Sequence, residues 1–269
     1  MKYYKYIAVV LVYRNVDDLK ECIISMKDKI MSLRIIVINA FFDEETMNKI
    51  RDISAEYDCD FINIENKGYS YGNNTGIEYA IKHYRYDYII VSNPDIIVKQ
   101  FNAPLKEYDI IAPKIIARDG RFQNPMMVRR NRLSEYIIYI GLKRNIKPFL
   151  FLGIGINKIE RLICTNVTKR NKTVYSIYQA HGSFVIISRR VIETLHPIYD
   201  ENMFLFAEEG VLALKAKRAG FVPYYCSDLV IYHKEDGSMK LAGTPINSEL
   251  KKSNVYFYEK YIKQNTHCS

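Results

Sequence analysis

Tyr88-Ile89-Ile90-Val91-Ser92-Asn93-Pro94-Asp95-Ile96-Ile97-Val98 is the stretch from which the fold can be read. It is apolar and rich in β-branched residues on either side of a polar break, as in a strand buried on both faces. Pro94 has no N–H to give to a sheet ladder, so the strand is expected to stop or bulge there. One carboxylate, Asp95, is then left at the carboxyl end of a central strand, the edge where ligands bind in open α/β sheets. A carboxylate in that place costs desolvation unless a metal ion or a basic side chain meets it. An ordinary Asn-Pro-Asp turn is the alternative that this stretch alone leaves open.

Upstream, apolar runs recur at Ile7–Tyr13, Arg34–Ala40 and Asp60–Glu65, with Tyr88–Val91 as the fourth. Helical patterns separate them. Asp17–Ser32 spaces its apolar residues for one helix face, with Asn15 or Asp17 as cap. Asp43–Tyr57 begins with acids that favour the positive end of a helix dipole. Gly76–Tyr84 supplies a third helix. Such alternation builds a parallel sheet through right-handed crossovers, and residues 1–100 read as a nucleotide-binding half. Beyond it come a strand at Asp109–Ile116, a strand-like Tyr175–Ser188, a helix at Glu208–Ala219 ended by Gly220 and strand sequence in Phe221–His233. An amphipathic helix at Asn247–Lys263 closes the chain.

The 269 residues, 48% hydrophobic and 26% charged, suit a globular protein with one large core or two fused halves. The short apolar N-terminal run closes at Arg14 without the features of a signal peptide. The five cysteines, Cys22, Cys59, Cys164, Cys226 and Cys268, show no C-x-x-C spacing, so a reducing, cytoplasmic setting is expected, without a disulfide framework or a zinc site. Charge is uneven. Residues 118–172 hold thirteen Lys/Arg against three acids, a net +10 of the overall +9, so the remainder stands at −1. Cations mixed with Tyr136–Ile140 and Pro148–Ile154 suit an anionic membrane surface, although a solvated basic insertion has the same composition. No nucleic-acid-binding signature accompanies the charge, so no nucleic acid partner is expected.

Three further stretches could carry chemistry. Asn66–Gly76 is a glycine-rich strand-to-helix connection that could bring backbone close to an anion, although a structural turn has the same look. Glu208-Glu209 heads a helix beside Phe204-Leu205-Phe206. Desolvation and like charge could raise one of these acids into the range of a general base, whereas first-turn acids more commonly complement the dipole and stay solvated. His233 ends a strand, where a core or surface histidine is the commoner role.

Taken in order, Tyr13-Arg14-Asn15, Asn39, the glycine connection, Asn93-Pro94-Asp95, His181-Gly182-Ser183-Phe184, Glu208-Glu209 and His233 resemble the inverting family 2 glycosyltransferases of the GT-A fold, especially the rhamnosyltransferase-like branch that builds bacterial surface polysaccharides. The resemblance runs from about Ile7 to Ser238. It includes Gln179–Arg190, and Asp200-Glu201 through Glu208-Glu209 to Lys217-Arg218-Ala219-Gly220.

The resemblance implies an α/β, GT-A type single domain with a Rossmann-like half and a mixed central sheet flanked by helices. Residues 1–100 would bind the nucleotide-sugar donor. Residues 101–246, including the basic insertion 118–172, would bind the acceptor and carry catalysis, and 247–269 would form a C-terminal helix. Asp95 matches the last acid of a D-x-D-like motif and His233 the histidine completing a Mn²⁺ or Mg²⁺ site. Glu209, with Glu208 beside it, matches the catalytic base. Tyr13, Asn39, Gly68, Asn74 and Asn93 fall on the donor side, His181 and Gly182 on the acceptor side. A glycan or lipid-linked glycan acceptor and a peripheral position on the inner membrane face follow as expectations. The chain departs from the family at Ile38, where an acid usually precedes Asn39, at Glu209, usually Asp, and at Val211, often an acid. These departures leave a non-catalytic glycan-binding or scaffold relative as an alternative. A sugar-phosphate nucleotidyltransferase would carry a glycine-rich basic loop where Tyr13–Asp17 stand.

Overall fold

The computed structural model describes residues 1–102, 108–168, 172–235 and 246–264. Positions 169–171 of the basic segment, Asp236-Gly237-Ser238, the end of the expected C-terminal helix and Cys268 lie outside the described residues.

The first part alternates as the apolar runs require: β1 (Lys2–Val12), α1 (Val16–Lys29), β2 (Leu33–Ala40), α2 (Glu44–Glu56), β3 (Asp60–Ile64), α3 (Tyr69–His83) and β4 (Tyr84–Ser92). Asn15 caps α1 by accepting from Asp18 N–H, and Asp43 caps α2 by accepting from Thr46 N–H at 2.7 Å. β1 to β4 are mutually parallel. The strand stops at the Asn93-Pro94-Asp95 break, and β5 (Ile96–Phe101) resumes elsewhere in the sheet. There follow β6 (Ile110–Ala117), α4 (Arg132–Lys143), α5 (Lys147–Thr168), β7 (Val174–Ser176), β8 (Phe184–Ser188), α6 (Arg189–Leu195), α7 (Glu208–Arg218) and β9 (Pro223–His233). α8 (Ile246–Phe257) runs into a π-helical turn, Tyr258–Lys263.

One mixed sheet of nine described strands has the order β3-β2-β1-β4-β8-β6-β9-β5, with β7 also on β9. β8 lies antiparallel between β4 and β6, β9 runs parallel to β6, and β5 is antiparallel to β9. Alternate residues of β1 feed two cores. Tyr6, Ala8, Val10 and Val12 meet Leu19, Ile23 and Met26 of α1 on one face. Ile7 and Val9 meet Ile77 and Ala80 of α3, with Leu212 and Ala216 of α7, on the other. Fully burying each such aliphatic side chain contributes about 1.5–3 kcal/mol before conformational entropy is subtracted. Both faces are covered, so the strands read as unbroken apolar runs.

Three elements differ from the sequence expectations. α3 starts seven residues before Gly76, at Tyr69, because Gly72 and Gly76 are helical and let α3 approach Leu11 and Val9 of β1 closely. Tyr175–Ser188 divides into β7 and β8, since Tyr178 and Gln179 turn to hydrogen-bond Met127 O. Residues 132–168 form a helical hairpin, α4 and α5, tied to the C-terminal turn by the Tyr139–Tyr258 stack at 4.2 Å and by Tyr139 Oη donating to Glu259 at 2.9 Å.

Candidate active site

Strand register brings the first pair together. Ile96, the first residue of β5, pairs with His233, the last of β9, and Lys234 N–H continues the contact to Asp95 O at 2.9 Å. The reversal at Pro94 therefore sets Asp95 beside His233, both buried at the carboxyl edge, with Asp95 Oδ1 3.2 Å from His233 Nε2.

A side-chain relay fixes the histidine ring. Gln123 Nε2 donates to Glu235 Oε1 at 2.6 Å, so Gln123 Oε1 faces His233 Nδ1 at 2.8 Å. An amide oxygen only accepts, so Nδ1 carries the hydrogen, and in the neutral tautomer Nε2 is the ring's remaining acceptor on the Asp95 side. Asp95 Oδ1 accordingly has no aligned donor although it is buried. Two acceptors facing each other at 3.2 Å repel unless a cation lies between them or the ring takes a second proton.

The second pair heads α7. Phe206 and Ala207, both with φ in the left-handed region, turn the chain into the helix. Neither is a glycine, and such a conformation costs about 1–3 kcal/mol per residue, a cost that clusters at functional sites. Glu208 is buried with Oε1 unpaired, and Glu209, partly buried, accepts from Gly182 N–H at 3.3 Å. Burial, followed by the charge of Glu209, pushes the Glu208 carboxyl up, and burial raises Glu209 against the lowering pull of its backbone hydrogen bonds. These first-turn acids are thus desolvated, and Glu208 is the more enclosed.

His181-Gly182-Ser183 links the two pairs. The His181 ring lies edge-on to His233 with centroids 5.7 Å apart, and burial holds it neutral, pushed down to about 4. Its backbone N–H donates to Asn124 Oδ1 at 2.7 Å, while its Nδ1 accepts from Ser183 N–H. Ser183 O receives Asn93 N–H at 2.9 Å. Gly182 O receives Tyr69 Oη at 2.8 Å, and a Cβ on Gly182 would stand 2.9 Å from Glu209 Oε1. His181, Gly182 and Glu209 line one narrow crevice with Tyr199.

The residues expected on the donor side take these places. Tyr13 meets Phe42 edge-on at 6.0 Å, with the Arg14 guanidinium 3.9 Å over the Phe42 ring. Asn39 is buried, donates to Asn63 at 2.7 Å and keeps an unpaired Oδ1. Gly68, at φ 98°, caps α3 so close to the Phe204 backbone that a Cβ would stand 2.3 Å from Phe204 O. Asn74 is buried and spends its amide on Tyr199 and Glu201. Gly68 and Asn74 thus tie the glycine connection to the loop before Glu208. Tyr69 was not picked out within the glycine connection, and Gln123, Asn124 and Glu235 went unnoticed in the sequence. The last three lie in unpatterned stretches, and only a fold that brings Gln123 to His233 over 110 residues reveals them.

No family model matches the chain. It is 22% identical over 239 residues to the low-salt glycan biosynthesis hexosyltransferase Agl10 of Haloferax volcanii, an alignment covering 84% of this chain and 66% of that protein. The chain therefore spans just under two thirds of that relative. Among solved structures it superposes on GalNAc-T7 with UDP, GalNAc and Mn²⁺ at a TM-score of 0.63 and 12% identity, covering 96% of this chain and 49% of that one. It superposes on Staphylococcus aureus TarS at 0.54 and 10% identity, covering 98% of this chain and 45% of that one. The mannosyltransferase PcManGT of Pyrobaculum calidifontis, with GDP-Man and Mn²⁺, gives 0.53 at 10% identity, covering 97% of this chain and 72% of that one. These likenesses, together with the mixed sheet and flanking helices, show that the chain has the GT-A fold.

Proposed function

We propose that the protein is a metal-dependent, inverting glycosyltransferase that moves a hexosyl or rhamnosyl unit from a nucleotide-sugar to a glycan or lipid-linked glycan in bacterial surface polysaccharide synthesis. The observation that carries this reading is the buried Asp95 Oδ1 without an aligned donor, 3.2 Å from a His233 Nε2 that the Gln123 contact at Nδ1 leaves as the ring's remaining acceptor. Such a pair fits a divalent cation: an anionic oxygen and a neutral imidazole nitrogen, adjacent and prearranged. Among the described residues no group of three or more His, Cys, Asp or Glu could hold a metal, so a nucleoside diphosphate would supply the remaining ligands. Mn²⁺ or Mg²⁺ held there would offset the charge accumulating on the departing diphosphate.

In this reading the chain's own groups divide the remaining work. Burial raises both carboxyls, so the pair shares one proton, and Glu209, to which the Gly182 N–H donates, is the one assigned the negative charge. Glu209 takes the proton from the acceptor hydroxyl as that oxygen attacks the anomeric carbon opposite the leaving group. Residues 1–100 hold the donor through Tyr13, Asn39, Asn93 and the α3 connection. Residues 101–246 present the acceptor beside His181 and Gly182, and the 118–172 segment gives peripheral contact with the inner membrane face.

Titration calorimetry with UDP-, GDP- and dTDP-sugars, with and without Mn²⁺, tests the reading. Binding of one donor class only with metal, abolished in Asp95→Ala, is the expected result. Failure of every donor to bind would leave a scaffold protein, and undiminished transfer by Asp95→Ala would remove the metal assignment.

A further inference from the structure

α5 carries its polarity inverted for a helix that covers a globular domain. Its side toward α4 is small and polar. Gly153 packs on Ser134 and Ile138, Asn157 Oδ1 accepts from Ser134 Oγ, and Glu160 accepts from Asn131 Nδ2 at 2.9 Å. Its other side presents Phe151, Leu152, Ile159, Leu162 and Ile163, each 54–67% exposed. At 100° per residue these positions form a single stripe. Gly155 lies within it, and a Cβ built there meets nothing within 4 Å. Leu133 and Tyr136 of α4 add exposed apolar surface at 62% and 50%. A contiguous outward stripe of this kind marks an interaction surface, in contrast to scattered exposed apolar residues.

Charge identifies the partner. Arg144, Lys147 and Lys158 are exposed around the stripe, and Arg129 and Arg132 at the start of α4. The acids of the segment are already engaged: Glu135 with Arg130 at 2.9 Å, Glu160 with Asn131, and Asp119 with Arg121. A hydrophobic band ringed by cations complements an anionic lipid leaflet, with apolar acyl chains beneath negative headgroups. No described helix is long and apolar enough to cross a membrane, so α5 would lie in the plane of the surface.

We infer that α5 docks on an anionic lipid leaflet, with Phe151, Leu152, Ile159, Leu162 and Ile163 entering the headgroup–acyl boundary while Arg144, Lys147 and Lys158 contact the headgroups. The inference deepens only the membrane-contact part of the proposed function and is independent of sugar transfer. The test is co-sedimentation of the full chain, without nucleotide or metal, with phosphatidylserine/phosphatidylcholine vesicles and with pure phosphatidylcholine vesicles. Binding to the anionic vesicles that weakens in high salt is expected. The pair Phe151→Ser with Leu162→Ser lowers affinity about tenfold or more by removing inserted area. The pair Lys147→Glu with Lys158→Glu does the same through charge. All four side chains are exposed, so both variants fold and retain donor binding, which separates failure here from failure of the transferase reading. Equal partitioning to both vesicle types, or to neither, overturns the inference. So does unchanged binding by the Ser pair, or a vesicle-independent dimer that the Ser pair dissolves, which would assign the stripe to a second copy of the chain.

Discussion

Replacing Gln123 by Leu removes the acceptor for His233 Nδ1–H while keeping a side chain of similar size. In the native arrangement Gln123 is held from both ends, by its backbone N–H to Ile115 O at 3.0 Å and by its amide N–H to Glu235 at 2.6 Å. His233 therefore has one favoured neutral tautomer, with Nε2 free for a cation. Without Gln123 the ring is free to carry its hydrogen on Nε2 and to turn it onto Asp95 Oδ1, now 3.2 Å away but unaligned, which would satisfy both groups and close the cation position. Losing such an outer partner of a ligating histidine costs about 10–100-fold in metal affinity, or roughly 1.4–2.7 kcal/mol. Stability should fall by a comparable amount, about 1–3 kcal/mol for the broken hydrogen bonds, seen as a Tm drop of about 2–8 °C. Mn²⁺ affinity is read from the free-ion paramagnetic resonance signal in the presence of the nucleoside diphosphate that the donor titrations select. Gln123→Glu, which retains an acceptor, should recover part of the affinity despite Glu235. Mn²⁺ binding by Gln123→Leu equal to that of the native chain, where Asp95→Ala has lost it, would falsify the tautomer argument.

Glu209→Gln should keep donor and Mn²⁺ binding and lose about 10²–10⁴ in kcat, measured by release of nucleoside diphosphate; full turnover would move the base to Glu208 or Glu201. Gly182→Ala would push a methyl to 2.9 Å from Glu209 Oε1, so kcat should fall at least about tenfold with the Tm little changed, and an unaltered kcat would show that the position of Glu209 is not critical. Glu208 predicts a pH dependence of stability. Its folded pKa is raised above the ordinary 4.5, so the native state holds a proton that the unfolded chain releases, and stability declines as pH rises from 4.5 toward the raised value. Glu208→Gln should flatten that decline in melting curves taken from mildly acid to mildly alkaline pH; parallel slopes for the two proteins would place the titration elsewhere.

The parallel half was legible because each of its strands is buried on both faces and each helix on one, so apolar run and helical period are local signals. Asn15 could be offered as a cap, with Asp17 as the alternative, for the same reason: a cap acts over three residues. α3 misled because glycine ordinarily opposes helix, whereas here Gly72 and Gly76 are needed for close packing on β1, a tertiary reason invisible in the local sequence. The α4–α5 hairpin was hidden by a related effect. The apolar stripe of α5 points outward, so the usual equation of periodic apolar positions with a core-facing stripe fails there.

The site shows the same division. Asp95 could be singled out because a proline interrupts a buried strand, a fact contained in eleven residues. What Asp95 meets could not, because the answer depends on β5 reversing to pair antiparallel with the far end of β9. That pairing also explains the chemistry of the contact. Had β5 continued from β4 without the break, position 95 would sit inside a ladder with its side chain in one of the two apolar cores, and a carboxylate there would be expelled or neutralised. The break moves it to the sheet edge, where β9 delivers His233 and the turn after β6 delivers Gln123. The same turn supplies Asn124, which anchors His181 N–H, and the next residues along that chain, Gly182 and Ser183, reach Glu209 and the Asn93 backbone. Asp95 and Glu209 are therefore not independent features. One three-residue segment, His181–Ser183, touches the surroundings of both, so a shift in its backbone displaces the histidine-facing carboxylate and the helix-heading carboxylates together.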